Sequence, residues 1–214
     1  MQLGRFIQYI ASGTAYTVLV SLIALPFGLV LGLILSLLYV YGGKIVTRIM
    51  GIYSTVMRGI PPIVLLFILY FTVSGNINLS PFWAGSISLG IISSAYQMEI
   101  IRGALQSVTG GQMMAARAIG MSRWTAIRHI IIPQAFRLAI PPWSNEAAIV
   151  IKDSSLVYAL GVPEILRRAQ LISASTQEPF LAYITAGLIY FALVFTTNRL
   201  LDRLEKRVRI PANP

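Results

Sequence analysis

The chain has 214 residues, of which 56% are hydrophobic and only 11% are charged, and none is cysteine. No hydrophilic stretch is long enough for a separate soluble domain, and without cysteine this chain forms neither disulfides nor thiolate metal sites. The formal net charge of +10 comes from basic residues in short segments between apolar runs. These segments form no continuous basic face, so we expect no nucleic-acid binding and a role for the charge in membrane orientation.

Two long apolar runs dominate the sequence. No side chain that is charged at neutral pH lies between Arg5 and Lys44, or between Arg58 and Glu99. About 20 apolar residues span a bilayer as a helix, so each run contains at least one crossing. The sequence therefore predicts an all-α integral membrane protein that forms one domain over residues 1–214. Five spans fit, at about 13–40, 47–72, 83–105, 137–160 and 179–199, with a turn at 75–81 and a longer loop at about 106–136.

The basic residues indicate how these spans are oriented, because cytoplasmic loops of membrane proteins carry an excess of lysine and arginine. With five spans, the outer side receives only Arg5, Arg167 and Arg168, while Arg58 and Lys152 fall at membrane depth. We therefore expect the amino terminus outside and the carboxyl terminus in the cytoplasm. The cytoplasmic side receives the remaining basic residues, which are Lys44, Arg48, Arg102, Arg117, Arg123, Arg128, Arg137, Arg199, Arg203, Lys206, Arg207 and Arg209.

Small residues at four-residue spacing predict where two of the helices pack. Small side chains let helix backbones approach closely in lipid, so contacts are expected at these positions. Pro26 and the pair Pro61 and Pro62 remove backbone donors and predict kinks in the first and second spans. The stripe in the first span is Gly28, Gly32 and Ser36, and the stripe in the third is Ser86, Gly90 and Ser94.

Polar side chains at membrane depth are the candidates for a substrate pathway, because charges inside spans are costly and often line such pathways. An arginine can hold an α-carboxylate through paired hydrogen bonds, a carboxylate can hold an ammonium group, and serine hydroxyls add directional contacts. A structural ion-pair network is the alternative, since Glu99 and Arg102 lie three residues apart and can pair. The candidate substrate-binding residues are Ser93, Ser94, Gln97, Arg102, Asp153, Ser154 and Ser155, together with Arg58, Asn145 and Glu146.

The sequence contains no recognisable catalytic or nucleotide-binding motif. It has no G-x-x-x-x-G-K-[ST] phosphate loop, because the residues Gly42, Gly43 and Lys44 are followed by isoleucine. The single histidine, His129, lies in the basic loop without metal-ligand partners at useful spacing. No arrangement resembles a nucleophile with its base, so we expect that the chain is not an enzyme and holds no cofactor or metal of its own.

The loop between the third and fourth spans carries helical signals of its own. Residues 110–120 read as a short helix, for which Gly120 is a suitable left-handed stop. Ser122 can cap a second helix from Arg123 to about Ile132, which Pro133 ends. A short exposed helix on the basic side suits the docking of a partner, although an amphipathic helix lying on membrane lipid has the same pattern.

The same loop resembles a known family. Ala115 and Ala116, then Gly120, and then a proline after three isoleucines resemble the E-A-A-x3-G-x9-I-x-L-P loop of the membrane subunits of bacterial ATP-binding-cassette (ABC) importers. Met114 stands where that motif has glutamate, which removes a charge but leaves the helix and its glycine. Other segments are similar to the polar amino-acid uptake branch of the family, at residues 58–62, 94–103, 141–146, 152–156 and 161–164.

The resemblance implies a permease subunit that moves polar amino acids, including basic ones, across the bacterial cytoplasmic membrane by alternating access. It implies a pore of two such subunits, identical or different, an ATPase subunit that binds ATP and Mg²⁺, and an extracytoplasmic amino-acid-binding protein. An ion-coupled secondary amino-acid transporter that uses the buried carboxylates, or a membrane scaffold that transports nothing, stays open as an alternative. The residues expected to form the coupling helix and contact the ATPase are Gln112, Met114, Ala115, Ala116, Gly120 and Arg123.

Overall fold

The computed structural model describes residues 3–208, except the side chains of residues 73–77 and 208, and this part of the chain is helical without strands. This confirms the predicted all-α class. Arg209, which contributes to the predicted orientation, lies outside the described residues. The helices are α1 Leu3–Ala11, α2 Thr14–Tyr41, α3 Lys44–Gly59, α4 Pro62–Ile77, α5 Pro81–Ala118, α6 Arg123–Ala126, α7 Ile132–Asp153, α8 Ile165–Thr176 and α9 Pro179–Val208, with a π-helical stretch Ile127–Ile131 before α7 and a 3₁₀ stretch Ser154–Leu160 after it.

Length and composition single out few of these helices as membrane spans. Among the described residues, two helical stretches are long and apolar enough to cross a bilayer, Leu3–Tyr41 and Pro179–Arg207. A third is added if Lys44–Gly59 and Pro62–Thr72 count as one broken span. α5 and α7 carry charged side chains along their length, such as Glu99 in α5, which lowers their apolar character.

The second predicted span, at 47–72, is divided between α3 and α4. The two parts meet at 112°, so the kink predicted at Pro61 is a sharp break. A residue before proline avoids the helical conformation, and Ile60 is accordingly extended (φ −103°, ψ 138°). The turn predicted at 75–81 is also shorter than expected, because the backbone of α4 stays helical through Ile77.

The α2–α5 interface forms the centre of the fold, and glycines bring the two backbones together there. A methyl group added at Gly32 would lie 2.9 Å from both the backbone nitrogen of Met98 and the carbonyl oxygen of Ser94. A methyl group added at Gly90 would lie 3.1 Å from the carbonyl oxygen of Ala24. The close approach therefore depends on glycine, and the packing predicted from the small-residue stripes is confirmed.

The last turns of α5 contain residues 110–118, which were predicted to form a separate short helix. Gly110 and Gly111 do not interrupt α5, since glycine inside a helix costs only about 1 kcal/mol relative to alanine. The predicted stop is confirmed, because Gly120 has φ +84° and the N–H of Met121 donates to the carbonyl oxygen of Ala116 at 3.0 Å. This is a Schellman ending, in which a left-handed glycine terminates the helix.

The helix that begins at Arg123 does not end before Pro133, so that prediction was wrong. Ser122 caps its start as predicted, because its Oγ accepts a hydrogen bond from the N–H of Thr125 at 3.1 Å. The π-helical stretch then shifts the hydrogen-bond register, and Pro133 falls in the first turn of α7, where its missing N–H breaks no bond. α7 therefore follows the basic loop without interruption.

Beyond α7 the chain packs α8 against α1 and α9 around a buried apolar cluster. The fourth span, expected to reach residue 160, is α-helical only to Asp153, and its last part is the 3₁₀ stretch that Gly161 ends with φ +87°. Glu164 caps α8 from a fully buried position. Its carboxylate also accepts a hydrogen bond from the hydroxyl of Tyr190 at 2.6 Å, which fastens α8 to α9.

Candidate functional site

A cavity of about 260 Å³ lies between the start of α4, the first half of α5 and the second half of α7. We call it the α5–α7 cavity. Its walls are mostly apolar, and its polar lining consists of Ser93, Tyr96, Glu146 and Asp153. Three of these four residues were predicted from the sequence, and two of them are carboxylic acids two turns apart on the same helix face. The cavity therefore brings oxygen acceptors together between α5 and α7.

Glu146 is the most enclosed acidic group of this cavity, with 4% of the residue exposed. The hydroxyl of Ser93 on α5 donates a hydrogen bond to its Oε1 at 2.7 Å. Ser93 in turn accepts a hydrogen bond from Nε2 of Gln97 at 3.0 Å. One carboxylate oxygen of Glu146 is thus held by α5, and the other has no hydrogen-bond partner among the described residues.

Gln97 does not line the cavity, but it holds in place a residue that does. Its side chain is fully buried, and its Nε2 donates to the carbonyl oxygen of Leu25 on α2 at 3.2 Å. Its Oε1 accepts a hydrogen bond from Nε1 of Trp143 on α7 at 2.7 Å. The amide therefore joins α2, α5 and α7, and it fixes the position of Ser93 beside it.

Arg102 does not line the α5–α7 cavity, and it therefore lies apart from Glu146 and Asp153. Its guanidinium donates to Glu99 one turn away and stacks over the ring of Tyr39 on α2, with 4.7 Å between Cζ and the ring centroid. Glu99 also accepts a hydrogen bond from the hydroxyl of Ser54 on α3 at 2.6 Å. The structural ion-pair alternative therefore describes Arg102, and the expected contact between Arg102 and a substrate in this cavity is not supported.

The other predicted substrate residues are also placed elsewhere. The hydroxyl of Ser94 lies 2.6 Å from that of Tyr53 on α3, and that of Ser154 donates to the carbonyl oxygen of Ile151 within its own chain segment at 2.7 Å. Ser155 lines a separate cavity beside α9. The last two of the predicted residues, Arg58 and Asn145, are exposed on the outside of their helices.

The carboxyl end of α5 forms the second candidate site, an exposed apolar end surrounded by basic segments. Met114, Ile119 and Trp124 are 75%, 76% and 68% exposed. The predicted docking residues Gln112, Ala115 and Gly120 are exposed as well, whereas Ala116 is buried and packs inward. Arg123 turns toward α2, with its Cζ 5.8 Å from the centroid of the Tyr41 ring.

Three residues of these arrangements were missed in the sequence, namely Tyr53, Tyr96 and Trp143. Trp143 offered a signal, because a buried indole N–H needs an acceptor, and Gln97 was available on a predicted neighbouring span. Tyr53 and Tyr96 carry no comparable signal, because the sequence alone does not indicate which face of each helix meets a neighbour.

These features define a class of protein. A helical membrane protein with a polar cavity between its helices and an exposed helical end among basic segments has the architecture of a transporter's membrane subunit. The family model described as "Binding-protein-dependent transport system inner membrane component" matches residues 24–210, and the chain belongs to this family. The resemblance stated from the loop motif is thereby confirmed.

Curated relatives agree with this family. The chain is 33% identical over 207 residues to the "Glutamine transport system permease protein GlnP" of Escherichia coli (strain K12), which covers 95% of this chain and 94% of the relative. It is 37% identical over 200 residues to the "Probable amino-acid ABC transporter permease protein YckA" of Bacillus subtilis (strain 168), which covers 93% of this chain and 88% of the relative.

Solved structures agree as well. The structure described as "Crystal structure of an amino acid ABC transporter with histidines" is 33% identical, has a TM-score of 0.87 and covers 96% of both chains. An inward-facing form of the MetNI methionine ABC transporter shares the fold, with a TM-score of 0.87 at 17% identity over 98% of this chain and 100% of that one.

The chain is therefore an inner-membrane permease subunit of an amino-acid ABC importer, and the ion-coupled alternative is not supported. Its relatives are membrane subunits whose ATPase is a separate protein, so the prediction that this chain is not itself an enzyme is confirmed. Membership of the family also implies an ATPase partner and a substrate-binding protein.

Proposed function

We propose that the chain carries a polar amino acid through the α5–α7 cavity, and that the positively charged group of the substrate binds between Glu146 and Asp153. The observation that carries this proposal is a cavity between α5 and α7 whose polar lining offers two carboxylic acids and no basic side chain within the described chain. Carboxylates accept charge-assisted hydrogen bonds from an ammonium or guanidinium group, which are stronger than hydrogen bonds between neutral groups.

The names of the relatives assign them different substrates, glutamine in one case and octopine in another. The α-ammonium group is common to all amino acids, so a cavity that binds this group suits a permease whose selectivity is set elsewhere. The binding protein and the second permease subunit, identical or different, would then contact the side chain and the α-carboxylate. We propose polar, including basic, amino acids as the substrate class.

The carboxyl end of α5 is the proposed docking surface for the ATPase, which binds ATP and Mg²⁺ in this scheme. Gln112, Met114, Ala115, Ile119 and Gly120 are exposed there, and the left-handed Gly120 lets the chain turn back beside them. An apolar end that faces neither its own core nor the hydrocarbon layer suits burial by a partner. ATP-driven closure of the ATPase would bias the permease only through contacts that differ between its two states.

The proposed topology has five spans with the amino terminus outside. α1 with α2, the broken pair α3 and α4, then α5, α7 and α9 would each cross once. The basic residues around α6 and at the end of α9 support this orientation, because they then lie in the cytoplasm with the docking surface. Since the chain has no cysteine, a single Ile119→Cys change would report orientation, and we expect labelling of this cysteine only from the cytoplasmic side.

Reconstitution with the ATPase and the binding protein tests the cavity. We expect Glu146→Gln and Asp153→Asn each to lower the rate of ATP-driven amino-acid uptake about 10-fold or more, since a hydrogen bond to a charged group contributes about 1.5–3 kcal/mol. Glu178→Gln is the matched control, because Glu178 is exposed at the start of α9. Unchanged uptake in both cavity variants would remove the cavity from the pathway, while membership of the importer family would stand.

Reconstitution also tests the docking surface. Ala115→Lys places a charge on the exposed end of α5 without entering the core, and we expect ATP hydrolysis by the complex to lose its dependence on the binding protein. Gly103→Lys is the control, because Gly103 is exposed on the same helix and a Cβ added there would meet no atom of a neighbouring element within 4 Å. If Ala115→Lys leaves assembly and stimulated hydrolysis intact, the ATPase does not dock at this end.

A further inference from the structure

A second, wider recess lies on the outside of the molecule, away from the α5–α7 cavity. It has a volume of about 570 Å³ and runs between α2 and the segment that joins α6 to α7. We call it the α2–α6 groove. Its walls are almost entirely apolar, and the residues that matter here are Ile34, Leu37, Leu38 and Tyr41 of α2 with Arg123 and Trp124 of α6.

In the proposed topology the α2–α6 groove reaches from the membrane interface into the hydrocarbon layer, because α2 belongs to the long apolar stretch Leu3–Tyr41. Ile34 and Tyr41 are seven residues apart on α2, which corresponds to about 10 Å along the helix axis. Ile34 and Leu38 remain 49% and 43% exposed along this length, because nothing within the described chain covers them. At the groove's outer end Trp124 is exposed, as is typical of tryptophan at the level of lipid headgroups.

The same end of the groove carries positive charge. The guanidinium of Arg123 lies over the ring of Tyr41, and no carboxylate of the described residues pairs with it, since the ion pair found among them joins Arg102 to Glu99. Lys44 follows Gly42, another residue of the groove, by two positions and is exposed at the start of α3. The groove is therefore apolar along α2 and cationic at the end where Arg123 and Lys44 lie.

We propose that the α2–α6 groove binds one anionic phospholipid, with an acyl chain along Ile34 and Leu38 and the phosphate on Arg123. The apolar length suits an acyl chain, and a guanidinium binds phosphate oxygens through paired hydrogen bonds. A basic residue near an anionic membrane surface adds about 1 kcal/mol of binding free energy. Binding would place the lipid beside the end of α5, and it goes beyond the transport function proposed above.

Two other occupants fit the groove less well. A second copy related by two-fold symmetry would bring two Arg123 side chains into one interface, and the described lining of the groove contains no acidic residue to pair with either of them. A water-soluble ATPase would cover Trp124 at the open end but would leave Ile34 exposed in the hydrocarbon layer. An acyl chain is the one partner of the three that reaches the whole length of the groove.

Native mass spectrometry of the purified complex, after exchange into detergent, tests the proposal. We expect the wild-type complex to retain phosphatidylglycerol at each permease chain, and Leu38→Trp to lose it because the indole fills the groove. Leu22→Trp is the matched control, since Leu22 is 61% exposed on the same helix outside the groove. Arg123→Gln should lower the preference for phosphatidylglycerol over phosphatidylethanolamine about fivefold, the equivalent of about 1 kcal/mol.

Either of two results would overturn the proposal. One is equal retention of phosphatidylglycerol by the wild-type, Leu38→Trp and Leu22→Trp complexes. The other is a disulfide-linked permease dimer formed by Leu38→Cys, which would assign the groove to a second copy, and the cysteine-free chain makes that result unambiguous. Thermal unfolding of Leu38→Trp in the same detergent shows whether the variant is folded, so that lipid loss is not mistaken for misfolding.

Discussion

α5 has two neighbours that it contacts in opposite ways. Toward α2 it presents glycine and serine, and the backbones touch so closely that Gly32 has no room for a methyl group. Toward α7 it presents Ser93 and Gln97, which reach Glu146 and Trp143 through hydrogen bonds beside a cavity. The α2–α5 contact is set by shape and has one register. The α5–α7 contact is made by hydrogen bonds next to a cavity, and such bonds can exchange partners. We infer that α2 and α5 move as one body and that α7 moves against them during transport.

The largest loss of stability is expected at the α2–α5 contact. Gly32→Ala forces a methyl group against two backbone atoms at 2.9 Å, which cannot yield as a side chain can. Overpacking of this kind costs about 1–3 kcal/mol of unfolding free energy, and we place Gly32 at the upper end of that range. Thermal unfolding of the purified chain in detergent measures the loss.

Gly103→Ala on α5 is the control for that experiment. A methyl group at Gly103 meets no atom within 4 Å, so the same substitution should stabilise the helix by about 0.5–1 kcal/mol. Equal thermal stability of the two variants would show that the α2–α5 interface tolerates extra volume, and the contrast between the two faces of α5 would be lost.

A smaller loss is expected at the hydrogen-bonded contact. Gln97→Leu removes the bonds to Leu25, Ser93 and Trp143 and leaves a buried indole N–H without an acceptor. Two of these bonds join separate helices, and such bonds contribute about 0.6 kcal/mol each on average, so together with the bond to Ser93 inside α5 we expect a loss of about 1–2 kcal/mol. Gln112→Leu, at an exposed site on the same helix, should leave the unfolding temperature unchanged.

The order of these two losses carries the inference about motion. If Gln97→Leu destabilises the chain more than Gly32→Ala, the hydrogen bonds of Gln97 to α2 and α7 hold the helices more strongly than the close backbone contact does, and the inference that α7 is the mobile partner would be lost.

The smallest loss of stability is expected where α5 contacts α3. Tyr53→Phe removes a hydroxyl that lies 2.6 Å from the Ser94 hydroxyl and donates to the carbonyl oxygen of Ile91 at 3.1 Å. We expect a loss of about 0.5–1 kcal/mol in unfolding free energy, because the ring stays in place and Ser94 keeps its bond to its own helix. Tyr183→Phe, an exposed position on α9, is the control. A loss above that of Gln97→Leu would place α3 with the rigid body.

Local signals predicted the parts of this fold that depend on a few neighbouring residues. The stripes around Gly28 and Gly90, the left-handed Gly120 and the Ser122 cap are each set by spacing or by one backbone conformation. These features need no knowledge of which helix lies opposite. The same holds for the pair formed by Glu99 and Arg102, whose separation of three residues already permits the contact.

Features that depend on helix rotation or on a change of hydrogen-bond register were not predictable in the same way. Arg102 and Asp153 were grouped because both are polar at membrane depth, but the rotation of α5 sends Arg102 toward Tyr39. Pro133 was expected to end a helix, and a π-helical stretch accommodates it instead. Gly110 was expected to separate two helices, and the packing of α5 overrides its weak local preference.

The continuity of α5 has a mechanical consequence. From Ser93 in the cavity wall to Met114 at the exposed end the helix is unbroken, a distance of about 30 Å at 1.5 Å per residue. A force applied at Met114 by a docked ATPase would tilt the whole of α5 and shift Ser93 against Glu146 without any local unwinding of the helix. Because α2 moves with α5, the displacement of Ser93 would scale with its distance from the point about which the two helices tilt together against α7.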